Sequence, residues 1–165
     1  MDPFAVQNIP MERNYQRTFA LLKPGILQRR LVGQVLSRIE GKGLKIIGIK
    51  LLYLTREQCE LQYREHVGKD FYPSLIDYMA SGPVIAFVLA GYDAINTLRH
   101  LAGPTDPAEA PPGTIRGDFG TLTRYNIIHA SDSPESAERE IHLYFEEEEL
   151  HDWEDGNALW FGGAS

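Results

Sequence analysis

The chain has 165 residues, 43% hydrophobic and 24% charged, and a formal net charge of −7. That length suits one domain with a proper core, and the composition is that of an ordinary globular protein, not a disordered or fibrous one. No stretch approaches the roughly 20 apolar residues that cross a bilayer, and an acidic chain lacks the basic face that nucleic acid needs in a main partner.

The start, Met1-Asp2-Pro3-Phe4, has neither a basic segment nor an apolar run, so it does not read as a secretory signal. The single cysteine, Cys59, cannot form an internal disulfide, which fits a reducing compartment. These features predict a cytoplasmic protein with no membrane association. A small polyanion stays open as a ligand, because three or four converging cations would suffice.

Residues 1–16 are polar and aperiodic and read as a leader. Residues 17–22 (RTFALL) read as a strand, and 31–42 as an amphipathic helix closed by Gly43 at a left-handed cap. Residues 44–54 are aliphatic and β-branched and form the second strand. Thr55-Arg56-Glu57-Gln58 is a capping box that opens the next helix. A short helix over 71–80 ends at Ser81-Gly82-Pro83. Residues 84–91 give the third strand, and Asp93 caps a helix to about residue 101. Residues 125–128 give the fourth strand, and Ser133-Pro134 starts the last helix, with proline at its favoured first position.

This order predicts an α/β (α+β) fold, a ferredoxin-like βαββαβ sandwich with an extra helical pair inserted. Its four-stranded sheet is antiparallel, with helices packed on it. The folded domain is expected over 17–145, followed by an acidic and aromatic extension over 146–165. Residues 102–120 form a 19-residue loop with Pro104, Pro107, Pro111, Pro112 and four glycines. Long loops in compact domains are usually functional.

Two short matches carry nothing. Asp118-Phe119-Gly120 spells a kinase magnesium motif, but the H-R-D loop and the glycine-rich loop of that fold are absent. There is also no G-x-x-x-x-G-K-[ST] phosphate loop.

Among the cations, Lys23 ends the first strand beside Pro24, Arg99 lies late in a helix, and Arg116 lies between Gly113 and Gly117. Each alone reads as a solvated charge, although an arginine's planar fork suits a phosphate. His66, His100, His142 and His151 have polar surroundings. His129 differs, because it ends an apolar strand ahead of a helix start, where α/β proteins display ligands and nucleophiles. Glu140 flanks the apolar stripe of Ala137, Ile141 and Tyr144, and by itself reads as a boundary glutamate.

Taken together, longer segments outweigh these separate readings. Pro112-Gly113-Thr114-Ile115-Arg116-Gly117-Asp118-Phe119, Asn126-Ile127-Ile128-His129-Ala130-Ser131-Asp132-Ser133 and Glu140 resemble the signature of nucleoside diphosphate kinases. Arg17-Thr18-Phe19, Lys23-Pro24, Gln28-Arg29, Leu31-Val32-Gly33 and Ser81-Gly82-Pro83-Val84 resemble it too, so the likeness runs from 17 to about 145. The chain departs from the family's pattern at Gly25 and Ile26, after Lys-Pro, and at Ala130, after the histidine.

The resemblance implies γ-phosphate transfer between nucleotides by a ping-pong route, with little base selectivity. His129 would be the nucleophile, carrying phosphate on Nδ1, with Glu140 on its other ring nitrogen and Ser131 supporting the pair. Lys23, Arg99 and Arg116 would bind phosphates, with Tyr63 and Thr105 as further contacts. Lys23 and Asn126 would reach the ribose hydroxyls, and Phe71 would stack on the base. Magnesium would arrive on the nucleotide phosphates, with Asp132 as the one candidate protein contact.

The family also implies a homo-oligomer, a hexamer first and a tetramer second, with the long loop between subunits. Trp153 and Trp160 are expected to dock on a neighbouring protomer, with 146–149 as a solvated hinge. Rival readings are an oligomeric interaction protein with an idle site and a nucleotide sensor without transfer. Retention of the whole residue set favours the enzyme.

Overall fold

The computed structural model of the protein describes residues 14–161. The elements in chain order are β1 (Tyr15–Leu22), α1 (Val32–Gly41), β2 (Lys45–Tyr53), α2 (Arg56–Gln62), α3 (Tyr72–Met79), β3 (Pro83–Tyr92), α4 (Ala94–Ala102), α5 (Ile115–Phe119), β4 (Ile128–Ala130) and α6 (Pro134–Tyr144). The four strands form one antiparallel sheet in the order β2-β3-β1-β4. This is the ferredoxin-like plan with α2 and α3 inserted between β2 and β3. Residues 1–13, most of the expected leader, lie outside the described residues, while Tyr15 and Gln16 already belong to β1.

Local chemistry sets most boundaries. Thr55 and Gln58 form the reciprocal capping box at the start of α2. Ser133 accepts from Ser136 N–H at the start of α6. Gly43 follows α1 at φ +89°, a conformation that costs other residues a steric clash.

Both faces of the sheet are covered, so β1 and β3 are apolar almost throughout. Ala20 and Leu22 of β1 face α1, α4 and α5, while Phe19 and Leu21 face α2, α3 and α6. A period-two strand between two cores keeps its register, since a slip of one residue would exchange the two sets.

Three expectations need correction. Asp93 does not cap α4 with its side chain; it sits at φ +52° and its carboxylate accepts from Asn96 instead. The long loop is not structureless, because Thr114 caps the five-residue α5 inside it. Gly117 is required there, since a Cβ would lie 2.1 Å from the Pro111 carbonyl oxygen. The fourth strand is 128–130, not 125–128, because residues 126–128 close a γ-turn. Ile128 N–H donates to the Asn126 carbonyl at 2.8 Å around Ile127 at φ +74°.

The extension folds back onto β2 of the same chain. His151 N–H donates to the Ile47 carbonyl, and Trp153 Nε1 donates to that of Ile46, both at 2.8 Å. The acidic run is not a free hinge, because Glu147 pairs with Arg17 and Glu149 with Lys50. Trp153 is half-exposed and Trp160 remains largely open to solvent. The two hydrogen bonds and the apolar cover of Leu150 are worth about 2–4 kcal/mol together. Truncation after Phe145 should therefore lower unfolding stability by that amount in chemical denaturation, with folded secondary structure retained. Unchanged stability would show that the docked tail contributes nothing.

Candidate active site

β4 brings one polar side chain onto the sheet. His129 lies opposite Leu21 of β1, and so shares the face that packs under α2, α3 and α6. Phe19 and Tyr63 both lie against its ring, with centroids 6.2 Å away in each case. From α6, Glu140 reaches the same point with 2% of its surface exposed. Its Oε2 is 2.6 Å from His129 Nε2 and accepts from the Ser131 hydroxyl at 3.0 Å. A carboxylate only accepts, so Nε2 carries the ring hydrogen and Nδ1 keeps a lone pair.

The γ-turn that precedes β4 holds a β-branched residue at positive φ, which is strained and persists only where the surroundings fix it. Arg116 fixes both ends. Its Nε donates to Asn126 O at 3.1 Å and its Nη2 to Ile128 O at 2.6 Å, while Nη1 donates to Gly103 O at 2.7 Å. The Ile127 carbonyl accepts from Lys23 N–H at 2.9 Å. Three of the five guanidinium hydrogens are thus committed to backbone, and two remain for a ligand.

Lys23 is buried, and its ammonium donates to Asn126 Oδ1 at 2.6 Å. Burial and then the charge of Arg116 lower its pKa to about 7. Burial and then Arg99 lower Arg116 to about 10. Each effect is one of crowded, desolvated positive charge, which a bound anion would relieve. The Asn126 amide also donates to the Thr105 carbonyl at 3.0 Å, tying the long loop to the site.

The turn after Lys23 is well formed: Gly25 takes φ +97° and Ile26 is buried in the core. Ala130 has no positive φ.

The other expected residues surround this centre. Arg99 is exposed on α4, close enough to depress Arg116. Among the described residues the buried Tyr63 hydroxyl has no hydrogen-bond partner, which for such a group calls for explanation by a ligand or water. Phe71 is 49% exposed, flanked by the His66 ring at 5.2 Å and the Lys69 ammonium. Asp132 is exposed, and the Ser136 hydroxyl, followed by the charge of Arg99, holds its carboxyl below the usual range. Among the described residues no group of three His, Cys, Asp or Glu side chains could hold a metal ion.

Two residues were not singled out from the sequence. Gln62 lies 3.3 Å from His129 Nε2, and Tyr144 donates to Gln62 Oε1 at 3.0 Å. Tyr144 was legible as part of the apolar stripe of α6, but nothing in the sequence marked its hydroxyl or the amide of Gln62.

Lysine cannot reproduce the fork of Arg116. Arg116→Lys should therefore leave carbonyls around β4 unsatisfied and cost about 2–4 kcal/mol of stability by denaturant titration. Stability equal to the parent chain would remove the clamp from the account.

Comparison with known proteins agrees with this geometry. A family model described as nucleoside diphosphate kinase matches residues 16–150. The chain is 52% identical over 145 residues to a nucleoside diphosphate kinase of Archaeoglobus fulgidus, covering 88% of this chain and 96% of the relative. It is 53% identical over 147 residues to one from Treponema pallidum, covering 89% and 99%. Among solved structures, a halophilic nucleoside diphosphate kinase from Halobacterium salinarum in complex with CDP superposes with a TM-score of 0.87 at 42% identity, covering 90% of this chain and 99% of that one. A buried glutamate–histidine pair beside desolvated cations, on this sheet and with this likeness over nearly the whole length, has one reading: the chain belongs to the nucleoside diphosphate kinase family.

Proposed function

We propose that the protein transfers the γ-phosphoryl group of a nucleoside triphosphate to a nucleoside diphosphate, with His129 as the transient carrier. The observation that carries this reading is the hydrogen bond of His129 Nε2 to buried Glu140, which leaves Nδ1 free to attack. Nδ1 donates its lone pair to the γ-phosphorus in line with the departing oxygen. The P–O bond breaks, the diphosphate leaves, and an N–P bond remains. In the return half-reaction, a terminal oxygen of the acceptor diphosphate attacks that phosphorus and the N–P bond breaks. The imidazole is thereby restored.

Phosphoryl transfer asks a protein mainly for positioning and charge neutralisation. Lys23, Arg116 and Arg99 supply the positive charge, and the unpartnered Tyr63 hydroxyl supplies a donor. Lys23 and Asn126, 2.6 Å apart, suit the ribose hydroxyls, and Thr105 is tied to them by its carbonyl's bond from Asn126. Phe71 offers a stacking face without a base-edge reader, so selectivity among bases is low.

Mg2+ fits as an ion carried on the nucleotide phosphates, since the one carboxylate against His129, Glu140, is engaged by the ring and by Ser131, and Asp132 turns to the start of α6. When bound there, it neutralises phosphate charge.

A homo-oligomer, as hexamer or tetramer, is supported by Ile49, Leu51 and Tyr53, half or more exposed along the edge strand β2. Cytoplasmic residence is supported by the lone thiol of Cys59, buried and pushed up to about 11 by that burial. No helix among the described residues is long and apolar enough to cross a membrane.

Incubation with γ-labelled triphosphate tests the reaction. The wild-type chain should yield an acid-labile, base-stable phosphoprotein, and His129→Ala should yield none while keeping its circular dichroism. Labelling of the variant at another histidine would overturn the assignment.

A second test follows from Lys23. Its free-state pKa is about 7, and a bound phosphate must raise it, because anions favour the charged form. Below that pKa the proton is already present. Above it, binding must take one up, so affinity falls as pH rises past about 7. Calorimetry near pH 8 in buffers of contrasting ionisation heat should show uptake of about one proton per nucleotide, absent in Lys23→Met. Equal proton counts in the two proteins would remove Lys23 from the linkage.

A further inference from the structure

Gln62 and Tyr144 stand behind the imidazole and take no part in the steps above. Gln62 ends α2 and is 6% exposed. Its Nε2 lies 3.3 Å from His129 Nε2, the nitrogen that Glu140 already holds at 2.6 Å. Its Oε1 accepts from the Tyr144 hydroxyl at 3.0 Å. The Tyr144 ring is stacked on Phe19, with centroids 5.0 Å apart and planes within 8°, so core packing fixes where that hydroxyl sits.

A phenol has one hydrogen to give, and among the described residues Gln62 Oε1 is where it goes. Turning the amide over would put its NH2 on the phenolic oxygen and take away the acceptor of the phenol's own buried hydrogen. The amide is therefore held with its NH2 toward the imidazole. A ring N–H that meets an amide N–H finds no acceptor there.

We propose that Tyr144 is a positioning residue for His129, acting by holding the Gln62 amide so that its carbonyl stays off the ring nitrogen. Held this way, Gln62 offers Nε2 no acceptor, so among the described residues Glu140 alone takes the ring hydrogen, and that bond fixes the angle at which Nδ1 meets phosphorus. The inference rests on the phosphohistidine reading proposed above. An amide free to turn would offer its carbonyl as a second acceptor on a different bearing. The ring would then settle between the two, and attack is sensitive to displacements of that kind.

The consequence is an unusual pattern of variants. Tyr144→Phe keeps the stacked ring but releases the amide, and should slow phosphoenzyme formation about tenfold with nucleotide KM unchanged. Gln62→Met removes the amide and with it the competing carbonyl, so its rate should stay within about threefold of wild type. Combining the two should restore most of the rate lost in Tyr144→Phe, whereas independent structural damage would add. Rapid-quench kinetics with γ-labelled triphosphate reads all four proteins, and melting temperature checks each fold.

If Gln62→Met does not fold, the His129 Nε2–H proton resonance in Tyr144→Phe decides. It should move upfield as the bond to Glu140 is shared. A Tyr144→Phe rate within twofold of wild type, an unmoved resonance, or a double variant as slow as Tyr144→Phe would overturn the proposal. Failure of the wild-type chain to form any phosphohistidine would instead overturn the reading on which it rests.

Discussion

Glu140 is a carboxylate buried on the inner face of α6, and taking such a group out of water costs several kcal/mol unless it is hydrogen-bonded. Its compensation comes from two elements at once. β4 supplies the Nε2–H of His129, Ser131 just past its end supplies a hydroxyl, and the Ser131 backbone N–H is in turn held by the Phe19 carbonyl of β1. One buried charge thus ties the last helix, the edge strand and the central strand together. The same bond that satisfies the carboxylate selects the imidazole tautomer, so stability and reactivity draw on a single geometry.

Around that pair the charge is one-sided. Lys23 and Arg116 are partly or wholly desolvated, and their hydrogen bonds go to carbonyls and an amide, not to carboxylates. Positive charge without a counter-ion inside the protein is costly, as the lowered pKa values of both groups record. A polyphosphate would remove that cost. The chain's net charge of −7 does not oppose it, because part of the acidic surplus is spent elsewhere. Glu147, Glu149 and Asp152 of the extension pair with Arg17, Lys50 and Lys45. Cations are segregated: paired with carboxylates along the tail, and among the described residues without a carboxylate partner at Lys23 and Arg116.

Arg116 shows how a residue can serve chemistry and architecture together. It closes the strained turn at Ile127 that ends just before the nucleophile, and keeps two hydrogens for a ligand. Strain of this kind is stored where the backbone must place one side chain accurately. Arg116 therefore reads from sequence as a loop cation and from structure as the clamp on β4.

What the sequence determined by itself was whatever local rules govern. The capping box at Thr55, the Ser133-Pro134 start and the glycine after α1 are short-range hydrogen-bond and steric effects, and they survive intact in the fold. Apolar runs located β1, β2 and β3, and the likeness of the longer motifs carried His129, Glu140 and the cations. Tertiary structure decided the rest. β4 begins late because Arg116 and Lys23 hold a turn that local propensity disfavours. Asp93 is drawn into a left-handed conformation, with its N–H bonded to the Asn14 carbonyl across the chain. The extension lies on its own β2 because the Ile46 and Ile47 carbonyls face the side on which it folds back. The amide of Gln62 acquires a role only because α2, α6 and β4 converge on one ring nitrogen. Contacts between residues 67 and 82 positions apart have no local signature, since no short-range steric or hydrogen-bond rule spans that separation.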